Sequence, residues 1–422
     1  MMGRRIAAII FIFVCATVAW GILGASIFSR TYSLDSSLED RVVSTWGAPH
    51  TQSPPIASYE KTVMKRVEVT ENNRQVTRQQ PETQTVSLPL ESSRINVDLD
   101  LEHRQKGLLW YSTYKVNFGG LYIFRNTSEE TNKISFSFNF PTSKAIYDDL
   151  VMTADGQTLA LVNSNNAVTA TGAQVAPGQI VTLKVGYRSQ GLNEWRYNFG
   201  GDVSQVRDFT LDMTTNFKEI DFPANTLSPS EKEATARGWH LNWNYKNLVS
   251  GYQIGMTMPE KLQPGPLAGR ISLFAPVSLF FFFFLMFIIT TMRGIELHPM
   301  NYFFLAAAFF AFHLLLAYLV DHISIHLAFG ISSLVSIFLV TSYLRLVVGT
   351  RFAMREAAFS QFVYLVMFSY AFFFKGFTGL AITIGSILTL FVVMQVTGRM
   401  RWADKFAAPK TSKASTAAEA VK

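Results

Sequence analysis

Six long apolar segments constrain this chain of 422 residues more than any other feature of its sequence. A bilayer core about 30 Å thick is crossed by roughly 20 apolar residues in a helix that rises about 1.5 Å per residue. The segments that pass this test are residues 6–28, 271–292, 300–320, 323–344, 357–374 and 378–397. The second contains a run of phenylalanines, Phe280 to Phe284, and its lack of a polar face favours lipid over a soluble core. The sequence therefore predicts an α-helical membrane protein with six transmembrane helices.

The first apolar segment follows Arg4 and Arg5, as a signal peptide would. A signal peptide, however, has a short apolar core and then a small-residue cleavage site, and residues 6–28 are not followed by such a site. We therefore interpret residues 1–28 as an uncleaved signal anchor. Cys15 is the only cysteine and lies inside this segment, so it gives no information about disulfide chemistry.

The distribution of basic residues predicts how the six helices are oriented. Alternate segment ends carry Arg4, Arg5, Arg293, Arg345, Arg351, Arg355, Arg399, Arg401 and Lys405. The other connections carry only Asp321, His322 and Lys375. Because basic residues collect on the cytoplasmic side, we expect a multi-pass protein of the bacterial inner membrane with both termini in the cytoplasm. The same distribution accounts for the net charge of +7 and gives no reason to expect a nucleic-acid partner.

Residues 29–268 form the long connection between the first two helices and show a period of two. Apolar residues alternate with polar ones in RINVDLD, in KISFSFN and in WHLNWNY, the pattern of strands with one buried face. Asp155-Gly156 predicts a hairpin turn between two strands. We therefore predict a large all-β extracytoplasmic domain, either a β-sandwich or a large twisted antiparallel sheet. Within it, residues 47–92 fit a loop, a lid or a long hairpin.

The predicted organisation thus has four parts. Residues 1–28 are the anchor, 29–268 the periplasmic β-rich domain, 269–400 a bundle of five transmembrane helices, and 401–422 a disordered cytoplasmic tail without an apolar face.

Three histidines and an aspartate lie in or beside the third apolar segment, where such residues are costly. The orientation above puts His298 at the cytoplasmic face, His313 near the middle, and Asp321 with His322 at the outer face. Along one helix His313 lies roughly 22 Å from His298 and roughly 12 Å from Asp321, so the residues cannot form one catalytic site. His298-Pro299 is typical of a helix start.

A metal site is the alternative interpretation of Asp321, His322 and His326, because two histidines four residues apart share one helix face. A solvated turn at the membrane surface explains the same residues more simply. We therefore predict no metal ion and no cofactor.

His313 is predicted to be a neutral residue that packs inside the bundle. An imidazolium in hydrocarbon would cost at least a few kcal/mol, whereas a neutral ring can bond to a hydroxyl across the bundle. Ser332, Ser333 and Ser336 are the expected partners. The alternative is a path for protons or a solute.

The segment GIELHPMNYFFLAAAFFAFHLLLAYLVDHISIHLAFGISS resembles the core signature of the CreD family of inner-membrane proteins, which have been linked to envelope integrity and colicin tolerance. The matching positions are Ile295, His298, Pro299, Tyr302, Asp321 and His322, together with Trp46, Gln52 and Pro54 after the first apolar segment. His313 stands where the family has tyrosine and Asp321 where glutamate is usual, which fits either a divergent member or a sister family. The resemblance implies a role in envelope integrity or stress response and implies no reaction or substrate.

Motifs of catalysis are missing from the sequence. It contains no G-x-S-x-G, no HExxH, no Walker loop and no Cys/His cluster. The aromatic residues Trp239, Trp243 and Tyr245 are interpreted as core residues in preference to a glycan platform. We therefore predict a non-enzymatic envelope protein whose periplasmic domain interacts or senses, with the lipid bilayer and an unidentified periplasmic or membrane protein as partners. The alternatives are a transporter or export component that uses the bundle and, third, a membrane-embedded hydrolase.

Overall fold

A computed structural model of the chain describes residues 2–71, 74–106, 109–200, 204–374 and 376–398. Six helices of this part are long and apolar enough to cross a membrane. Their bounds are α1 (Met2–Trp46), α2 (Pro264–Arg293), α3 (Pro299–Leu319), α4 (Ile325–Val347), α5 (Thr350–Phe373) and α6 (Thr378–Thr397). Each overlaps one predicted apolar segment, so the prediction of six transmembrane helices is confirmed. Lys375 and the predicted tail, 401–422, lie outside the described residues.

Helix α1 extends well beyond the predicted anchor. Its apolar part is Arg4–Tyr32, but the helix ends only at Trp46. Residues 33–46 contain neither glycine nor proline, so the sequence offers no strong helix stop before Gly47. Gly47 has a φ of +99°, and its amide donates to the Val43 carbonyl at 3.0 Å. Residues 29–46 are therefore helical, whereas they were expected in the β-rich region.

Helix α5 is irregular along its length. It contains two π-helical stretches, Ala353–Ala357 and Phe362–Met367, and ends in a 3₁₀ turn, Ala371–Phe373. π-helical turns are rare and often mark functional positions. Gln361 lies directly before the second stretch and is completely buried.

Sixteen strands make up the β-rich region. They are β1 (His50–Gln52), β2 (Ile56–Glu71), β3 (Arg74–Ser87), β4 (Leu90–Lys106), β5 (Leu109–Arg125), β6 (Asn132–Asn139), β7 (Tyr147–Ala154), β8 (Gln157–Thr158), β9 (Val162–Ser164), β10 (Ala167–Val175), β11 (Ile180–Leu192), β12 (Glu194–Tyr197), β13 (Ser204–Thr215), β14 (Glu231–Ala234), β15 (Trp239–Ser250) and β16 (Ile254–Thr257).

These strands form three sheets within the described residues. The largest has eight strands in the order β14-β15-β13-β4-β5-β11-β7-β8, the second has five in the order β3-β2-β6-β10-β9, and the third is β1-β12-β16. Most pairs are antiparallel, as predicted, but β1 pairs with β12 and β4 with β13 in parallel. Strands β2 and β3 form a long hairpin whose pairs run from Ser58 with Ser87 to Glu71 with Arg74. Of the loop, the lid and the long hairpin expected for residues 47–92, the structure therefore has the hairpin. Ala154 pairs with Gln157 around the predicted Asp155-Gly156 turn.

One hydrophobic core joins the two larger sheets. The alternating apolar residues of β4, β5, β11, β13 and β15 pack in the same cluster as those of β2, β6 and β10. Phe136 and Trp243 are almost completely buried there, and the indole Nε1 of Trp243 donates to the Leu227 carbonyl at 2.9 Å. Trp239 and Tyr245 pack against this core as partly buried residues. The aromatic stripe therefore belongs to the core, as expected.

The chain divides into two compact units. The membrane unit contains residues 1–34 and 263–422, and the β-rich unit contains residues 35–262. The chain is thus an α-helical membrane protein with a large inserted β-rich domain.

Candidate functional site

The predicted residues at the start of α3 fix where that helix begins. His298 precedes the helix, and its Nδ1 accepts a hydrogen bond from the Met300 amide at 3.3 Å. Pro299 takes the first helical position, where its missing N–H costs nothing. Tyr302 is buried, and its ring packs edge-on against Phe283 of α2 with centroids 5.2 Å apart. These residues therefore determine how α3 starts and packs.

Asp321, at the other end of α3, forms an ion pair with α1. Its carboxylate lies 3.3 Å from the Arg30 guanidinium. Arg30 also donates to the Ala317 carbonyl at 3.0 Å and lies over the Tyr318 ring, 5.5 Å from its centroid. The sequence suggested no partner for Asp321, because Arg30 precedes it by almost three hundred residues.

The metal alternative at this end of α3 gains no support. Asp321 is engaged with Arg30, His322 is exposed, and the His326 ring packs against Phe373 with centroids 5.1 Å apart. In the part of the chain that the structure describes, no group of three or more histidine, cysteine, aspartate or glutamate residues is placed to hold a metal ion.

His313 is completely buried but does not bond across the bundle. Its Nδ1 lies 2.9 Å from the Phe309 carbonyl, one turn earlier on the same helix. Its ring meets the Trp20 ring of α1 edge-on, with centroids 5.5 Å apart. Neither His313 Nε2 nor Trp20 Nε1 has a hydrogen-bond partner among the described residues.

The predicted bond from His313 to a serine of α4 is therefore wrong. Ser333 donates to the Phe329 carbonyl at 2.8 Å, Ser336 donates to the Ala308 carbonyl at 2.7 Å, and Ser332 Oγ has no partner among the described residues. The carbonyl four residues back is within reach of a histidine on a helix, so Nδ1 of the ring finds its partner locally.

Gln361 and Ser336 form the main polar contact inside the bundle. The Gln361 amide nitrogen donates to Ser336 Oγ at 2.8 Å, and Ser336 in turn donates to the Ala308 carbonyl. Both side chains are completely buried, and Gln361 Oε1 has no partner among the described residues. The contact links α5, α4 and α3. Sequence reasoning missed Gln361, although a lone amide in an apolar segment was a signal for it.

A polar face covers one side of the eight-stranded sheet. It consists of the outward side chains of β15, β13, β4 and β5 and the residue after β13: Asn96, Asp98, Asp100, Asn117, Asp212, Thr214, Asn216, His240 and Asn242. Pairing aligns His240, Thr214, Asp98 and Asn117 in one row across four strands.

Neighbouring donors hold the carboxylates of the polar face in place. Asp98 accepts from Asn117 at 3.2 Å and from the Thr214 hydroxyl. Asp212 accepts from the Asn242 amide at 2.9 Å, and His240 Nε2 lies 3.3 Å from the same carboxylate oxygen. The result is an ordered polar surface whose carboxylates and amides suit a partner rich in hydrogen-bond donors.

A buried histidine in the β-rich unit was not singled out from the sequence. His50 of β1 is completely buried between Tyr114 of β5 and Ser189 of β11. Its partners lie 64 and 139 residues away along the chain, so no local pattern marks it.

Comparison with known proteins identifies one family. The family model described as "Inner membrane protein CreD" matches residues 1–280 and 267–403. A search of curated proteins finds no match.

Similarity to solved structures is weak. A candidate nutrient-binding protein from Legionella pneumophila aligns with a TM-score of 0.32 and 10% identity, over 56% of this chain and 76% of its own. An M1 zinc metallopeptidase from Deinococcus radiodurans aligns with a TM-score of 0.22 and 14% identity, over 40% of this chain and 42% of its own. Scores this low carry no inference about the activity of this chain.

Proposed function

The chain belongs to the CreD family of inner-membrane proteins, and we propose that it acts without catalysis, through a β-rich unit that binds or senses an envelope component. The family and the six apolar helices support a multi-pass protein of the inner membrane. The distribution of lysine and arginine supports cytoplasmic termini and a β-rich unit outside the cytoplasm.

The location of the polar chemistry carries this proposal. The apolar cores 6–29, 271–292, 299–320, 357–374 and 378–397, and residues 325–344 of α4, contain no aspartate, glutamate, lysine or arginine. Ion pathways through membranes generally depend on such residues or on rings of carbonyl groups. The polar face, by contrast, exposes ordered carboxylates and amides over four strands. A binding surface on the β-rich unit therefore explains the distribution better than conduction does.

Transport through the bundle is the second candidate function, and it has its own observation. His313 Nε2, Ser332 Oγ and Gln361 Oε1 are buried without hydrogen-bond partners among the described residues. Such groups are available to a polar solute that enters the bundle.

Complementation of a deletion strain tests the proposal. The variant Asp98→Ala/Asp100→Ala/Asp212→Ala removes the acidic groups of the polar face, and we expect it to reach normal levels in the membrane yet fail to restore envelope integrity. Glu129→Ala/Glu130→Ala/Glu219→Ala, at exposed loop positions outside the polar face, is the control matched for the loss of three negative charges and should complement fully. Full activity of the first variant would contradict the proposal.

A separate experiment with reporter fusions tests the orientation of the chain in the membrane. A reporter that is active only outside the cytoplasm should be active when fused after Gly200 and silent when fused after Arg401. The reverse result would place the polar face in the cytoplasm and refute its proposed role.

A further inference from the structure

The segment that follows α1, residues 47–52, is attached to the β-rich unit by buried contacts. We call it the docked segment. Its Ala48 amide donates to the Lys144 carbonyl at 3.1 Å, and its strand β1 pairs in parallel with β12. Gln52 Oε1 accepts from the Tyr187 hydroxyl at 2.8 Å. His50 lies between these two contacts and is completely buried.

The surroundings of His50 exclude water. Its Nδ1 lies 2.9 Å from the Tyr114 hydroxyl and its Nε2 3.1 Å from Ser189 Oγ. A methyl group on Gly191 would lie 2.3 Å from Nδ1, so only a glycine lets β11 approach this closely. The imidazole is therefore solvated only by protein atoms.

A count of hydrogens shows what each protonation state of His50 can do. The Tyr114 hydroxyl donates to the Glu194 carbonyl at 2.8 Å, and the Ser189 hydroxyl donates to the Ile146 carbonyl at 2.8 Å. Each hydroxyl has one hydrogen, and a neutral imidazole has one N–H. The neutral ring therefore satisfies three of the four contacts, whereas an imidazolium satisfies all four but adds a buried charge.

That charge would meet no carboxylate. From β5 the ring faces Tyr114, from β7 it meets the Tyr147 ring with centroids 6.2 Å apart, and from β11 it faces Ser189. From β12 Glu194 contributes its carbonyl to this cluster, and its carboxylate pairs with Arg196 at 3.1 Å and acts on the Tyr114 hydroxyl without forming an ion pair with His50. Lys144 contributes only its carbonyl, to the docked segment. Among the described residues no acidic side chain forms an ion pair with His50.

We propose that His50 makes the docked segment acid-sensitive: protonation of its buried imidazole, which has no counter-charge, releases residues 47–52 from the strands that hold them. The segment stays attached while the ring is neutral. When the ring gains a proton, the open form is favoured because it exposes the charge to water. That this response takes place outside the cytoplasm rests on the proposed function, whereas the protonation of His50 does not depend on it.

Burial sets the pH range. It lowers the pKa of His50 from 6.5 to about 4. Between these values the open, solvated state binds the proton and the closed state does not, so attachment weakens as the pH falls below 6.5. The two pKa values predict an opening equilibrium about 70-fold larger at pH 4.5 than at pH 7.5, if opening fully solvates the ring.

Hydrogen exchange of the full-length protein in nanodiscs tests this proposal. Exchange of peptides that cover residues 47–52 is followed by mass spectrometry at pH 7.5 and 4.5, with each rate corrected for the intrinsic rate at that pH. Wild-type protection of the docked segment should fall by up to about 70-fold at the lower pH. His50→Gln cannot gain the proton, so its protection should change no more than that of the eight-stranded core. His103→Gln, another histidine of the same unit, is the control and should behave like the wild type.

A second variant tests whether the absence of a carboxylate beside His50 causes the acid response. Ser189→Asp places a carboxylate beside Nε2, so its docked segment should stay protected at pH 4.5. Equal wild-type protection at both pH values would overturn the proposal, whether or not the variants fold. If His50→Gln lost as much protection at pH 4.5 as the wild type does, the proposal would also be overturned, because other groups would then cause the acid response. Neither result would bear on which side of the membrane the unit faces.

Discussion

Replacing Gln361 by methionine should preserve or increase the stability of the bundle. The side chain is completely buried, makes one hydrogen bond, from its amide nitrogen to Ser336 Oγ, and leaves Oε1 without a partner among the described residues. Methionine has a similar length and no polar group that needs a partner. Ser336 keeps its bond to the Ala308 carbonyl after the change.

Two opposing terms set the magnitude. The lost interhelical hydrogen bond stabilises the protein by about 0.6 kcal/mol on average. A buried polar group without a partner costs roughly 1–3 kcal/mol in protein mutational data. The second term exceeds the first, so we expect Gln361→Met to raise the free energy of unfolding by about 1 kcal/mol.

The measurement is unfolding of the purified protein in mixed micelles as the fraction of denaturing detergent increases. Ser336→Ala is the matched control, because it removes the only partner that the Gln361 amide nitrogen has among the described residues, and it should lower the free energy of unfolding by about 1 kcal/mol. The double variant should recover most of that loss. Destabilisation by Gln361→Met of more than about 2 kcal/mol would refute the reasoning, since it exceeds the range expected for one such bond. A stable but inactive Gln361→Met would instead support transport through the bundle.

Two further substitutions follow from the structure. Gly47→Ala should lower the melting temperature strongly, because φ is +99° and the new methyl group would lie 2.1 Å from the Gln190 carbonyl oxygen. The control is Gly156→Ala, which has φ of +83° and open space around it and should cost only the backbone strain of about 1–2 kcal/mol. Equal losses of stability in the two variants would contradict this account. His313→Phe should reach normal levels in the membrane and complement a deletion, because among the described residues the ring bonds only to its own helix. A folded but inactive variant would show that the imidazole takes part in the movement of protons or a solute.

The sequence predicted those features whose physical cause is local. A helix in lipid needs a continuous apolar run, and a half-buried strand needs an alternating one, so both patterns are visible without knowledge of any contact. The His298-Pro299 helix start and the Asp155-Gly156 turn belong to the same class, because backbone geometry at those positions restricts the residue type.

The candidate site depended on contacts that no local pattern encodes. The prediction for His313 assumed that a buried ring must find a partner on another helix, but the Phe309 carbonyl one turn away was available. His50 lies in residues 47–92, for which the sequence left a loop, a lid and a hairpin open, and only the folded β-rich unit brings it between Tyr114 and Ser189. The parallel pairing of β4 with β13, which completes the polar face, likewise joins residues more than one hundred positions apart.

Contacts at the two ends of the apolar part of α1 explain why a charged residue, Asp321, occurs beside α3. Only 6% of the most apolar window of α1 is buried, compared with 50% for α3. Burial of apolar surface does not drive helices together in lipid, so polar contacts have more influence on where a weakly packed helix lies. Arg5 donates to the Leu297 carbonyl at 2.9 Å near one end of α3, and Arg30 pairs with Asp321 at the other. Asp321 is therefore best explained as the partner that positions α1, which accounts for an acidic residue at that turn without a metal or a catalytic role.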